Sequence, residues 1–133
     1  MSDKQHLQPE GIIDATKFAY TQVVTASPGT LISIAGQIGW DIEGKMVSDD
    51  LAEQTEKALE NLGLALAAAG ATAADLTCLR VYIPQYKPKK SAIFAKALVE
   101  FLGDAKPPAQ TLLGVEALAL PDVLIEIEAQ AVI

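Results

Sequence analysis

Hydrophobic and polar residues alternate with period two near the end of the chain. Ile125, Ile127, Ala129, Ala131 and Ile133 fall on one side of an extended backbone, and Glu126, Glu128 and Gln130 on the other. This predicts a strand over 123–132 with one covered face. Other β-rich runs occupy 18–26, 31–39, 75–83 and 111–118. The stretch 31–38 is apolar at nearly every position, which predicts a strand covered on both faces. Ser27-Pro28-Gly29 predicts a hairpin-type reversal between the first two runs, Asp41 to Lys45 a second turn before a short extension at Met46-Val47, and Leu120-Pro121-Asp122 a break between the last two strands.

Two stretches carry the helical period instead. Leu51, Thr55, Ala58, Leu59, Leu62, Leu66 and Ala69 recur at spacings of three and four and share one helix face. Asp49 and Asp50 put negative charge at its start, Asp50 with Glu53 resembles a capping box, and Gly70 stands where a terminating glycine belongs. A second helix is predicted over 90–102, with Phe94, Ala97, Leu98 and Phe101 inward and Gly103 at its end. Pro84 removes a ladder donor and closes the strand before it. The order of elements predicts one α+β domain over 1–133, with two helices packed on one face of a mixed β-sheet. Pro9 and Gly11 mark 1–12 as a loose N-terminal arm.

Composition adds partners and exclusions. Half of the 133 residues are hydrophobic. A chain of this size buries a limited share of its surface, so the surplus points to a subunit interface. The net charge of −7 comes with no long run of Lys or Arg, so neither nucleic acid nor an anionic membrane is an expected partner. No apolar run is long enough to span a membrane, and the polar start lacks the apolar core of a secretory signal. Cys78 stands alone, which suits a reducing compartment; a cytoplasmic location is expected. With one cysteine and one histidine (His6, in the arm), no metal site is expected. No phosphate loop or nucleophile–histidine pair is visible, and no cofactor is expected.

Glu126 and Glu128 on one strand face suit acid–base chemistry, but alternation alone favours a solvated sheet face. Gly36 inside a strand run marks either a bulge or a place where a ligand approaches the backbone closely. Arg80 shares a strand face with Tyr82 and reads as a surface residue. The cluster Lys87-Pro88-Lys89-Lys90 reads as a solvated turn ahead of the second helix.

The order and spacing of Tyr20, Gly36-Gln37, Gln54 with Asn61, Ala69-Gly70-Ala71 with Asp75, Val81-Tyr82, Pro108-Ala109 and Glu126-Ile127-Glu128-Ala129 resemble the signature of the RidA (YjgF-like) family. That family comprises small trimeric proteins known for hydrolysing reactive enamines and imines. The resemblance implies the chorismate mutase-like (YjgF-like) fold, a homotrimer, and small-molecule clefts between subunits. It implies that Glu126 positions or activates the attacking water, whereas Glu128 has no comparable role. It implies that the Gly36 amide binds a ligand carboxylate, that Tyr20 walls the cleft, and that Thr111 and the Leu112 amide are further donors.

The chain also departs from the family pattern. Ala35 replaces a serine, Ala19 replaces the proline before the tyrosine, and the loop before Pro121 is two residues longer. Above all, Gln110 stands where the family's enzymes carry the arginine that grips the substrate carboxylate. A guanidinium offers a charged bidentate fork that an amide cannot reproduce. The resemblance therefore implies a divergent member, with hydrolysis of enamines or 2-imino acids weak or redirected. The alternative is a non-catalytic ligand-binding or regulatory trimer using the same clefts. The ribonuclease activity associated with the family gets no support from the charges.

Overall fold

The computed structural model describes residues 3–11, 14–27 and 29–133. Six strands and two long helices follow one another as β1 (Asp3–Leu7), β2 (Val23–Ser27), β3 (Leu31–Gln37), α1 (Leu51–Ala68), β4 (Leu76–Pro84), α2 (Pro88–Leu102), β5 (Ala109–Val115) and β6 (Glu126–Val132). The main sheet has the order β3-β6-β4-β5, with β4 and β5 parallel and the other pairs antiparallel. Both helices bury their apolar faces against one side of it. This is the α+β arrangement that the periodicities predict.

Strand β6 lies between β3 and β4 and sets the division of the sheet. Ile127, Ala129 and Ala131 are at most 4% exposed and pack with Leu79, Val81 and Ile83 of β4 against Leu59, Leu62 and Leu66 of α1 and Phe94 and Leu98 of α2. Helix α1 starts where the sequence predicts, with the Asp50 carboxylate accepting from the Glu53 N–H at 3.0 Å. Gly70 ends it in a left-handed conformation, φ 76°. Ala69 is exposed, because it caps the helix rather than continuing its buried face. Gln54, which the sequence marks only as one position of the family pattern, is wholly buried. Its Nε2 donates to the carbonyls of Ser48 (2.8 Å) and Asp122 (2.9 Å), and its Oε1 accepts from the Leu124 N–H (2.9 Å). One carboxamide thus ties the start of α1 to the segment leading into β6.

Three expectations are corrected. The segment Asp3–Leu7 of the expected loose arm is a strand paired antiparallel with β2; Met1, Ser2 and Ile12 lie outside the described residues. The expected hairpin between the first two runs does not form, because β2 pairs with β1 and β3 with β6; Pro28 of that turn lies outside the described residues. Thr30 and Ile133 exchange backbone hydrogen bonds (2.6 and 3.2 Å), which hold β3 beside β6. At the other end of β2, Thr21 donates to the carbonyls of Pro108 (from its N–H, 3.0 Å) and Pro107 (from its hydroxyl), so the β1–β2 ribbon is anchored near β5. Strand β3 is covered on one face only: Ile34 is buried, whereas Leu31, Ser33 and Ala35 are exposed. No helix among the described residues is long and apolar enough to cross a membrane.

Gln54 provides the stability test. Leucine fills a similar volume but strands two carbonyls and one amide, each buried orphan costing about 1–3 kcal/mol. Gln54→Leu is expected to lower the unfolding free energy by about 3 kcal/mol or more, read as a fall in the urea midpoint at unchanged slope.

Candidate functional site

The sequence-predicted residues separate onto the two faces of the main sheet. On the face away from the helices, Tyr82 is the register partner of Glu126, and Arg80 that of Glu128. The antiparallel register shifts between Ile34 and Gln37, so Gly36 lies in a bulge. The Gln37 side-chain amide donates back to the Ala35 carbonyl at 3.1 Å across it. A Cβ on Gly36 would overlap Glu126 Oε2 and stand 2.6 Å from its Cδ. The group that uses the missing side chain is therefore the Glu126 carboxylate itself. Of the two readings of this strand glycine, the bulge is the one the register bears out.

Beside Glu126, the Tyr82 hydroxyl donates a hydrogen bond to Glu128. That bond, then burial and the negative charge of Glu128, hold the Tyr82 phenol above its usual range. Glu128 thus has a side-chain partner, whereas no side chain among the described residues donates a hydrogen bond to the Glu126 carboxylate. Arg80 is exposed on this face, as its place in the strand predicts.

Gln110 and Leu112 point the other way. Their parallel register partners are Leu79 and Val81, both wholly buried on the helix side. Between β5 and α2 lies a cleft of about 720 Å³, within the usual size range of small-molecule sites. Its walls include Phe18, Tyr20, Tyr86, Phe94, Leu98 and Leu112, with Gln110 among them. Gln110 Oε1 is buried and has no hydrogen-bond partner. The structure therefore brings Tyr20, Gln110 and Leu112 together on one cleft and Gly36 and Glu126 together on the opposite face of the sheet, and does not join the two groups within one chain.

Local geometry explains how the two tyrosines reach the cleft. Residues Ala15–Phe18 form a short 3₁₀ turn capped by Asp14, whose carboxylate accepts from the Thr16 N–H at 2.9 Å. Ala19 closes it in the left-handed region, φ 64° and ψ 34°, and Tyr20 follows. Proline fixes φ near −65°, so the family's proline could not adopt this conformation; the departure at Ala19 is tied to the turn that aims Tyr20. Gln85, φ 50°, precedes Tyr86 in the same way. Lys90 turns back to donate to the carbonyls of Pro84 (3.3 Å) and Gln85 (2.9 Å), so one member of the expected solvated cluster holds this bend. Sequence reasoning missed Tyr86. Its signal was Gly114 inside a strand run: a Cβ there would stand 2.7 Å from Tyr86 Cβ. Among the described residues, no group of three or more His, Cys, Asp or Glu side chains is arranged to hold a metal ion.

Comparisons with known proteins agree on one family. The family model described as endoribonuclease L-PSP matches residues 13–133. A RutC family protein of Pyrococcus horikoshii is 38% identical over 116 residues, covering 84% of this chain and 85% of that protein. The structure of YyfB from Yersinia pestis, a protein of the conserved Rid family, superposes with a TM-score of 0.94 at 37% identity, covering 98% of both chains. The structure of E. coli TdcF with bound serine gives a TM-score of 0.71 at 27% identity, covering 80% of this chain and 84% of that one.

The left-handed alanine is testable by itself. Glycine enters this region without the Cβ clash, whereas proline cannot enter it. Ala19→Gly is expected to stabilise the fold by about 0.5–1 kcal/mol. Ala19→Pro is expected to destabilise it by about 2 kcal/mol or more. Urea unfolding of the two variants beside the parent measures both signs.

Proposed function

We propose a function from one premise: the chain belongs to the YjgF/RidA-like family, the family described as endoribonuclease L-PSP. The reading supported best is a homotrimeric small-molecule protein with its clefts between copies, in which hydrolysis of enamines or 2-imino acids is weak or redirected. The single observation that carries it is the placement of Glu126 in the notch of Gly36 while the arginine position is occupied by Gln110.

Imine hydrolysis needs a water attacking the carbon of the C=N bond. In this reading Glu126 accepts the water proton as the C–O bond forms, and the C=N π electrons move to nitrogen, which takes up a proton. The tetrahedral carbinolamine then collapses, expelling ammonia and leaving the keto acid. The amides of Gly36 and Leu112 would hold the substrate, with Tyr20 as a wall. Gly36 and Glu126 lie on one sheet face and Tyr20, Gln110 and Leu112 on the other, so a second copy has to complete a cleft that uses both groups. Exposed apolar residues on the open face, Leu31 and Leu113, favour such an assembly. TdcF with bound serine supports a small polar ligand by analogy.

Gln110 sets the expected weakness. Hydrogen bonds to charged groups contribute about 1.5–3 kcal/mol against about 1 for neutral ones. Loss of the guanidinium therefore corresponds to about 10–100-fold in binding a carboxylate. The same residue favours the non-catalytic alternative, a trimer that binds and regulates without turnover. Ribonuclease action forms no part of this proposal, because a chain of net charge −7 lacks the basic face that neutralises phosphates.

Assembly is read from light scattering, where the expected mass is three times the 14.0 kDa chain; a monomer at micromolar concentration would sink the intersubunit cleft. Catalysis is read with 2-imino acids generated by an amino-acid oxidase. Gln110→Arg is expected to raise kcat/KM about 10–100-fold, and Glu126→Gln to abolish the gain. A parent enzyme that already hydrolyses strongly and gains nothing from arginine removes position 110 as the carboxylate anchor. Saturable binding without turnover in both proteins decides for the non-catalytic trimer.

A further inference from the structure

The cleft between β5 and α2 holds a polar atom that its surroundings leave unanswered. Gln110 Oε1 is buried without a hydrogen-bond partner, in a cleft lined mainly by apolar and aromatic side chains. An acceptor without a donor is unfavourable; this oxygen is closed to water, so a turn of the carboxamide about its last torsion brings it to the cleft wall, where a donor on a bound molecule removes that cost. An anionic carboxylate has no proton to offer this oxygen. An amide N–H or a hydroxyl does.

A second feature converges on the same place. Ala19 (φ 64°) and Gln85 (φ 50°) are the non-glycine residues with positive φ among the described residues, and each immediately precedes a tyrosine of this cleft. Left-handed backbone is disfavoured for residues with a Cβ, and it persists where surrounding structure enforces it, often at ligand sites. Here the Asp14-capped turn enforces one bend, and the bonds from Lys90 to the Pro84 and Gln85 carbonyls hold the other. Gly114 admits the Tyr86 side chain at a distance no Cβ would tolerate. Three separate local devices thus shape one cleft. Its cations, Lys17 and Lys96, are exposed, and Lys17 Nζ already lies 5.4 Å from the Phe18 ring centroid.

We infer that this cleft binds an uncharged small molecule: an aromatic or aliphatic body, received by Tyr20, Tyr86, Phe94 and Leu98, bearing an amide or hydroxyl donor for Gln110 Oε1. The inference rests on the reading that Gln110 lines a ligand cleft, and it is independent of hydrolysis. It names the ligand class that replaces the carboxylate once glutamine stands in the arginine position.

Three probes of one shape test it. Phenylacetamide carries the donor, phenylacetate the negative charge, and methyl phenylacetate neither. Each is titrated into the full chain in its solution assembly, followed by backbone amide NMR shifts. Phenylacetamide is expected to bind about five- to tenfold more tightly than the other two, with shifts concentrated in residues 91–100 and at Gln110. Gln110→Leu, which keeps the volume and removes the acceptor, is expected to bring phenylacetamide to the level of the ester. Gln110→Arg is expected to turn the preference to phenylacetate. Phenylacetate binding as tightly as the amide in the parent protein overturns the inference without recourse to any variant. So does an amide preference that survives in Gln110→Leu, or shifts centred on Gly36 and Glu126 instead. An imine hydrolysis gain in Gln110→Arg alongside a parent with no amide preference overturns this inference alone and leaves the family reading standing.

Discussion

Strand β6 is hydrogen-bonded on both edges, and that double pairing decides which side of the sheet every candidate group occupies. With β3 on one side and β4 on the other, the strand cannot slip by one residue without turning Ile127, Ala129 and Ala131 out of the core and carrying Glu126 and Glu128 into it. Burying two carboxylates among leucines is far costlier than any rearrangement of the loops. The core therefore fixes the register, and the register places Glu126 against Gly36. Gln54 reinforces the same register from outside the strand, because its carboxamide holds the backbone at Asp122 and Leu124.

The opposite edge of the sheet obeys a different constraint. Strand β5 runs parallel to β4 beside the buried residues Leu79 and Val81, so Gln110 and Leu112 face the helices rather than the open side. Helix α2 then leaves a cleft instead of closing on β5, and the tyrosines of two bends fill its rim. The chain tolerates a left-handed alanine and a left-handed glutamine to put them there. Most of the molecule follows its local preferences, and the departures gather at this cleft, where a binding role offers the compensation.

Chemically the two faces are unlike. The open face carries carboxylates, a phenol hydrogen-bonded to one of them, and an exposed arginine; the cleft is apolar, with one carboxamide at its wall. A proton-transfer step suits the first and recognition of an apolar body suits the second. Exchanging an arginine for Gln110 changes the charge of the recognition side without touching the carboxylate side, so selectivity can drift while the Gly36–Glu126 pair stays as it is.

The sequence by itself determined the element types, the two helix faces and the buried side of β6, since each depends on periodicity, caps and turn residues close together in the chain, and it determined the family through the order and spacing of motifs from Tyr20 to Ala129. Asp50, Gly70, Ile127 and Glu126 were all legible on those terms. Tertiary structure decided the rest. Whether β2 turned back on β3 or paired with β1 depended on the Thr21 and Thr30 hydrogen bonds to residues 107, 108 and 133, partners a local pattern cannot name. Gln54 was legible as one position of the family pattern, but the convergence of three backbone groups on its carboxamide was not. Gln110 and Glu126, both strand residues, were legible as candidates, but their separation by the sheet was not: facing is set by which strands become neighbours, and that is a property of the packed core rather than of either segment.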